Sequence, residues 1–388
     1  MPSGGILELR KFVAPECVFG ADARNLAAKY ALNLGARKVL VVTDPGVIAC
    51  GWTDDVMTGL RDAGLPYVVF ENVSPNPRDN EVLSGSEVYL AEQCNSIIAV
   101  GGGSPIDCAK GVGIVSTNDR NILEFEGVDE VRIPIPPLIC VPTTGGSSAD
   151  VSQFAIITDT TRKVKIAIVS KAIVPDVSLV DPVTLTTLPA DLTADTGFDA
   201  LTHAFEAYVS NAQSAITDLF ALEAIRLVHN YLPASIADPL NIELRGWMAI
   251  ACLHAGFAFS NAGLGLVHAM SHSLGGTTDI AHGLSNAILL RHVVEFNFPS
   301  AADRYRAIGQ AMGLRLSGKG DEEACTDIIN ELTRFQESVG ITGTLGKYGL
   351  DRTMIRELAG KAMADPDIAT AVRQPSQQDI EDIYERAF

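Results

Sequence analysis

Positive charge is scarce in this chain: 29 lysines and arginines face 47 aspartates and glutamates, a net charge of −18 over 388 residues. Nucleic-acid backbones and anionic lipid surfaces are met by basic faces, so neither nucleic acid nor membrane is an expected partner. Long apolar runs are missing too. No stretch reaches the roughly 18–20 uninterrupted apolar residues of a membrane span. The opening Met1-Pro-Ser-Gly-Gly-Ile-Leu-Glu-Leu-Arg-Lys11 lacks the apolar core of a signal peptide, so the cytoplasm is the expected compartment. Paired cysteines are absent as well. Cys17, Cys50, Cys94, Cys108, Cys140, Cys252 and Cys325 are odd in number, scattered, and never form Cys-x-x-Cys. That argues against a disulfide framework and a thiolate zinc site. Thiols inside runs such as Leu138-Ile-Cys-Val-Pro142 read as small hydrophobes. No repeat, low-complexity tract or Gly/Ser linker interrupts the chain.

What is present suffices for two cores. Up to about residue 185, β-branched runs alternate with helix-like segments. Lys38-Val-Leu-Val-Val-Thr-Asp44, Pro66–Phe70 and Ser96–Val100 recur at intervals of about 30 residues, and further runs begin at Leu138, Phe154, Lys165 and Val177. Strands spaced by helices predict a parallel sheet covered on both faces. Beyond Pro182–Pro189 the texture becomes helical runs broken by Gly, Pro and Asn. The expected architecture is α/β followed by all-α: a Rossmann-like parallel-sheet domain over residues 1–187, then an all-helical domain over 188–388. A crevice where two such domains pack is where a site is expected.

Three stretches of the first domain carry chemistry. Ala99-Val-Gly-Gly-Gly-Ser-Pro-Ile-Asp107 follows a predicted strand and opens a predicted helix. Glycines let backbone N–H groups approach a diphosphate, and the helix N-terminus favours an anion. Ser104 is placed to cap that helix, with Pro105 in its first turn and Asp107 in the third position. The spacing is not Gly-x-Gly-x-x-Gly, and a tight turn without ligand would read the same way. Pro142-Thr-Thr-Gly-Gly-Ser-Ser-Ala-Asp150 is a second small, hydroxyl-rich loop at a strand end, facing either the same cofactor or solvent. Asp44 ends the first strong strand. It suits ribose hydroxyls and would repel a 2′-phosphate, favouring NAD over NADP, although Asp-Pro-Gly is equally a turn.

In the second domain, Asp199 and His203 are spaced i, i+4 within a run without Pro or Gly, and so share a helix face. His268 and His272 repeat that spacing, and His282 follows ten residues later. Six of the seven histidines (His203, His229, His254, His268, His272, His282) fall within 80 residues. Imidazoles and carboxylates in apolar surroundings need partners, and a divalent first-row metal supplies one. Spacing alone leaves open which of them are ligands, and a lone helical histidine is more often satisfied in a core. His229, His254 and His292 are read as structural.

Phe198-Asp-Ala-Leu-Thr-His-Ala-Phe-Glu-Ala-Tyr208 and Gly263-Leu-Gly-Leu-Val-His-Ala-Met-Ser-His272 closely resemble the two signature regions of iron-containing (group III) alcohol dehydrogenases. Gly101–Asp107, Pro142–Ser147 and Pro175–Pro182 also match, so the resemblance spans essentially the whole chain. It implies hydride transfer between a small primary alcohol or diol and NAD, aldehyde reduction in reverse, and one catalytic divalent metal, Fe²⁺ or sometimes Zn²⁺. The implied ligands are Asp199, His203, His268 and His282, with His272 as a non-ligand suspected of relaying protons. The implied cofactor positions are Asp44, Asn76, Gly101, Gly102, Gly103, Ser104, Asp107, Thr143, Thr144, Ser147, Ser152 and Lys165. A homo-oligomer, dimer or larger, is implied as well. Two places depart from the pattern: Gly145-Gly-Ser147 stands for Ala-Gly-Thr, and Ala371-Val-Arg373 for Asn-Pro-Arg. Phe257 and Phe259 are candidates for an apolar substrate wall or for plain core. Two rivals share the fold: a dehydroquinate-synthase-like enzyme without net hydride transfer, and a non-catalytic regulator that senses NAD or alcohol.

Overall fold

Val39-Leu-Val-Val42 shows how the first unit is built. All four residues are buried, as a strand covered on both faces requires. Leu40 and Val42 enter one core layer, while Val39 and Val41 enter the other. The computed structural model describes residues 9–278 and 280–388; the opening residues 1–8, read above for their lack of an apolar core, lie outside these. The chain divides into two compact units. One is Val13–Thr187; the other is Leu188–Phe388 joined by residues 9–12.

The first unit carries β1 (Glu16–Phe19), β2 (Val39–Val42), β3 (Tyr67–Phe70), β4 (Ser96–Gly101), β5 (Gly127–Val128), β6 (Leu138–Pro142), β7 (Phe154–Asp159), β8 (Val164–Val169) and β9 (Val177–Val180). Its helices are α1 (Ala27–Asn33), α2 (Pro45–Ala49), α3 (Trp52–Asp62), α4 (Asp79–Ala91) and α5 (Gly103–Asn118). Six strands form a parallel sheet in the order β1-β9-β6-β4-β2-β3. Ala27, Ala28, Ala31, Val56 and Leu60 of α1 and α3 cover one face. Val82, Tyr89, Ile106 and Val112 of α4 and α5 cover the other.

One expectation needs correcting. The runs at Phe154 and Lys165 do not extend the parallel sheet. β7 and β8 pair antiparallel, with Thr158 opposite Lys165, and form a separate three-stranded sheet with β5. Only four residues join them, too few for the crossover that parallel neighbours need.

The second unit consists of α6 (Ala190–Val209), α7 (Ala215–Ala237), α8 (Ile242–Ala262), α9 (Leu266–Thr278), α10 (His282–Asn297), α11 (Ala302–Ala311), α12 (Asp321–Ser338), α13 (Ile355–Met363) and α14 (Gln377–Arg386), with short 3₁₀ turns between some of them. Among the described residues no strand follows Val180. Asn241 caps α8 by accepting from Leu244 N. Gly263, at φ 72°, ends α8 and allows a 101° bend into α9. No single helix among the described residues is long and apolar enough to cross a membrane.

Candidate metal centre and nucleotide loops

In the first unit, Gly101 ends β4 beside Pro142 at the end of β6. A Cβ on Gly101 would lie 2.5 Å from Pro105 Cγ, one on Gly102 2.9 Å from Thr144 Cγ2, and one on Gly103 3.0 Å from Ser147. The two loops therefore touch at the carboxyl ends of neighbouring strands, packed too closely to admit side chains on these glycines. Thr143 N donates to Gly101 O. Ser104 does not cap α5: the cap position is Gly102, and Ser104 Oγ instead accepts from Asn76 N at 3.2 Å. The residue stands two positions too late, because helical geometry already begins at Gly103.

Asp44 Oδ1 accepts from Val47 N at 2.9 Å and caps α2. Asp107, Ser152 and Lys165 sit toward the β7–β8 hairpin. Asp107 Oδ2 accepts from Ile156 N at 3.2 Å, and burial pushes its carboxyl up to about 6 against the opposing charge of Lys110. The wholly buried Lys110, absent from the sequence reading, donates from Nζ to the carbonyls of Ser152 (2.9 Å) and Phe154 (2.7 Å). Desolvation lowers its pKa.

The second unit gathers its charged residues around one oxygen. Asp199 Oδ1 on α6 lies 3.8 Å from His203 Nε2, 3.7 Å from His268 Nε2 on α9, and 3.5 Å from His282 Nε2 at the start of α10. Ligands about 2.1 Å from a tetrahedral centre stand roughly 3.4 Å apart; Asp199, His268 and His282 approach such a set, whereas His203 lies near Asp199 but outside the group of mutually close donor atoms. The donor atoms of Asp199, His268 and His282 lie within 4.8 Å of one another. His203 stacks between Phe259 (4.3 Å) and His268 (4.5 Å), which fixes its ring. Gly283 explains how His282 arrives: a Cβ there would fall 1.9 Å from the carbonyl oxygen of Asp195, one turn before Asp199. Only a glycine lets α10 come this close to α6.

Partners behind the donors were not read from the sequence. Glu206, one turn beyond His203 and two beyond Asp199 on α6, accepts from Gly265 N, Val267 N, His268 N and His268 Nδ1 (2.7 Å). It thereby caps α9 and turns His268 Nε2 toward Asp199. Ser271 Oγ lies 3.0 Å from His282 Nδ1. Burial pushes Asp199 up, but His203, His282 and His268 outweigh it and hold the carboxyl well below the usual range. Burial also pulls His268 down, yet Asp199 and Glu206 raise it to about 10.

His272 belongs to a neighbouring cluster. Its Nδ1 is 2.9 Å from Asp365 Oδ2 and 3.7 Å from Asp367 Oδ2, while its ring stacks on His282 at 5.3 Å. Burial pushes both acids up. The imidazole of His272 reverses this for Asp365, whereas the charge of Asp365 drives Asp367 higher still. Phe257 packs edge-on against Phe220, near Phe12. His229 pairs with Glu331, His254 packs against Phe220, and His292 lies beside Arg291.

A parallel sheet with a glycine-lined strand end and a helical unit with a carboxylate–imidazole cluster define the class of nucleotide- and metal-dependent α/β–helical enzymes. More narrowly, the chain belongs to the iron-containing alcohol dehydrogenase family. The family models match residues 14–182 (iron-containing alcohol dehydrogenase) and 193–388 (Fe-containing alcohol dehydrogenase family, C-terminal). The chain is 39% identical to 1,3-propanediol dehydrogenase of Citrobacter freundii, covering 95% of this chain and 96% of that one. It is 36% identical to NAD-dependent methanol dehydrogenase of Bacillus methanolicus, over 97% and 99%. The crystal structure of a 1,3-propanediol oxidoreductase superposes with a TM-score of 0.95 at 38% identity, covering 98% of this chain and all of that one.

Proposed function

We propose that the protein interconverts small primary alcohols or diols and their aldehydes, using NAD and one divalent cation, Fe²⁺ with Zn²⁺ as the alternative. The observation that supports this most is the convergence of three imidazole Nε2 atoms on one buried carboxylate oxygen at 3.5–3.8 Å. When bound, the cofactor takes up or returns hydride and the cation favours the ionised alcohol or polarises the carbonyl.

The chain's own part is placement. Asp199, His203, His268 and His282 would hold the cation, and Glu206 keeps His268 turned toward it. Gly101, Gly102 and Gly103 would admit the diphosphate against the backbone that opens α5, with Asn76, Thr144 and Ser147 beside it. Asp44 caps α2 through Oδ1, and we assign its carboxylate to the ribose hydroxyls, which favours NAD over NADP. His272, with Nδ1 bonded to Asp365, would accept the hydroxyl proton at Nε2 and return it in the reverse direction. Residues 1–187 and 188–388 are the proposed domains, and a cytoplasmic homo-oligomer the proposed form. A pure sensor would have no use for four convergent donors.

The test is purified, cation-loaded protein with NAD and a panel of methanol, longer primary alcohols and 1,3-propanediol, with the aldehydes and NADH run in reverse. NADH formation is expected. NAD binding with no hydride transfer in either direction would overturn the reading.

A further inference from the structure

Asn286 lies on α10 one turn after His282 and is wholly buried. Its Nδ2 donates to Asp199 Oδ1 at 2.8 Å and lies 3.3 Å from His268 Nε2 and 3.4 Å from His282 Nε2. One amide nitrogen thus touches three of the atoms that converge in this cluster. Its Oδ1 is buried with no hydrogen-bond partner. An asparagine serving only the core would satisfy both ends of its amide; this one commits its nitrogen to the donor cluster and leaves its oxygen unmatched.

We propose that Asn286 is a positioning residue of the metal site, one that fixes the Asp199 carboxylate and holds α10, with His282, against it. The inference rests on the reading that Asp199, His203, His268 and His282 hold a cation. An amide N–H on Asp199 Oδ1 sets the angle of the carboxylate, which its own helix leaves free to rotate about χ2. Glu206 accepts from His268 Nδ1 on the far side of that ring. Asn286 stands on the near side, its Nδ2 3.3 Å from Nε2. The i, i+4 step from His282 to Asn286 places both on one face of α10, and any shift of that helix moves a ligand and its aligner together.

The test compares Asn286→Leu, which keeps the volume and removes the amide, with Asn286→Ala, which avoids overpacking should Leu fail to fold. Zn²⁺ and Fe²⁺ affinities are read by competition with a chelator, and melting temperatures are read with the cation and after chelation. Both variants are expected to lose roughly 10–100-fold in cation affinity. The chelated variants should melt within a few degrees of the chelated wild type, so that the deficit appears mainly when cation is present. Wild-type affinity in either folded variant, or a melting deficit equal with and without cation, would overturn the proposal and leave Asn286 a packing residue. His268→Ala and His282→Ala serve as controls. If these also keep the cation, the metal reading itself fails; if they lose it and Asn286→Leu does not, only this inference fails.

Discussion

Two buried aspartates, one in each unit, are driven in opposite directions. Asp107 in α5 has a single backbone N–H on Oδ2 and no hydrogen-bond partner on Oδ1, and burial pushes it up to about 6 despite Lys110. Asp199 in α6 is equally buried, yet three imidazoles hold it well below the usual carboxylate range and Asn286 donates to the same oxygen. Burial alone cannot account for both. The positive and N–H-bearing groups aimed at each carboxylate decide the sign. In the first unit the buried acid pins a helix to a hairpin. The second unit keeps an ionised carboxylate in a dry core, which is what a metal ligand must be.

The comparison breaks most decisively at the imidazoles. His268→Ala is expected to abolish cation binding and to lower alcohol oxidation by about a thousandfold or more, several kcal/mol of barrier. Metal analysis and NADH formation check it. Retained cation with undiminished activity would make Asp199 merely another buried acid. A smaller effect is expected at Gly283. In Gly283→Ala the new Cβ meets the Asp195 backbone carbonyl at 1.9 Å, so α10 must move off α6 and take His282 from Asp199. Roughly tenfold weaker cation binding and about 1–3 kcal/mol of lost stability are expected, read by chelator competition and denaturant melts. Unchanged affinity would show that His282 is placed by something other than this contact.

Helical period explains which parts of the site were legible. Asp199 and His203 share a face at i, i+4, and so do His268 and His272. The same spacing could not say that His268 turns to Asp199 while His272 turns to Asp365, because that choice depends on a carboxylate 93 residues away. Only the family resemblance separated them. Glu206 and Asn286 were missed, although each is a polar residue one helical turn from a named ligand in an otherwise apolar run, a signal that could have flagged them. In the sheet, five β-branched or apolar runs were placed in the parallel layer from their alternation with helix-like segments. The β7 and β8 runs were read into the same layer, wrongly, because their apolar residues look the same whichever way the strand runs; the four-residue connection was the clue. β1 went unread, since Glu16-Cys-Val-Phe19 is short and half-exposed and becomes a strand only by pairing with β9.

The finest test of the comparison is Asp107→Asn, where the effect is on stability and depends on pH. A carboxyl at about 6 when folded, against an ordinary 3.8, holds its proton more tightly in the folded chain than in the unfolded one. Between those values the folded state carries more protons, so the contribution of Asp107 to stability falls as pH rises from about 4 to 6 and stays lost above that. Asparagine keeps an acceptor for Ile156 N and never ionises. The wild type should therefore lose ground to the variant across that window, by at most about 3 kcal/mol. Lys110 tempers the gain, since its buried ammonium loses a neighbouring negative charge in the variant. Denaturant melts of the NAD-free proteins at pH 4.5 and 7 measure the difference directly. If the gap between wild type and variant is the same at both, Asp107 is not held up by burial, and the contrast with Asp199 reduces to what the imidazoles do alone.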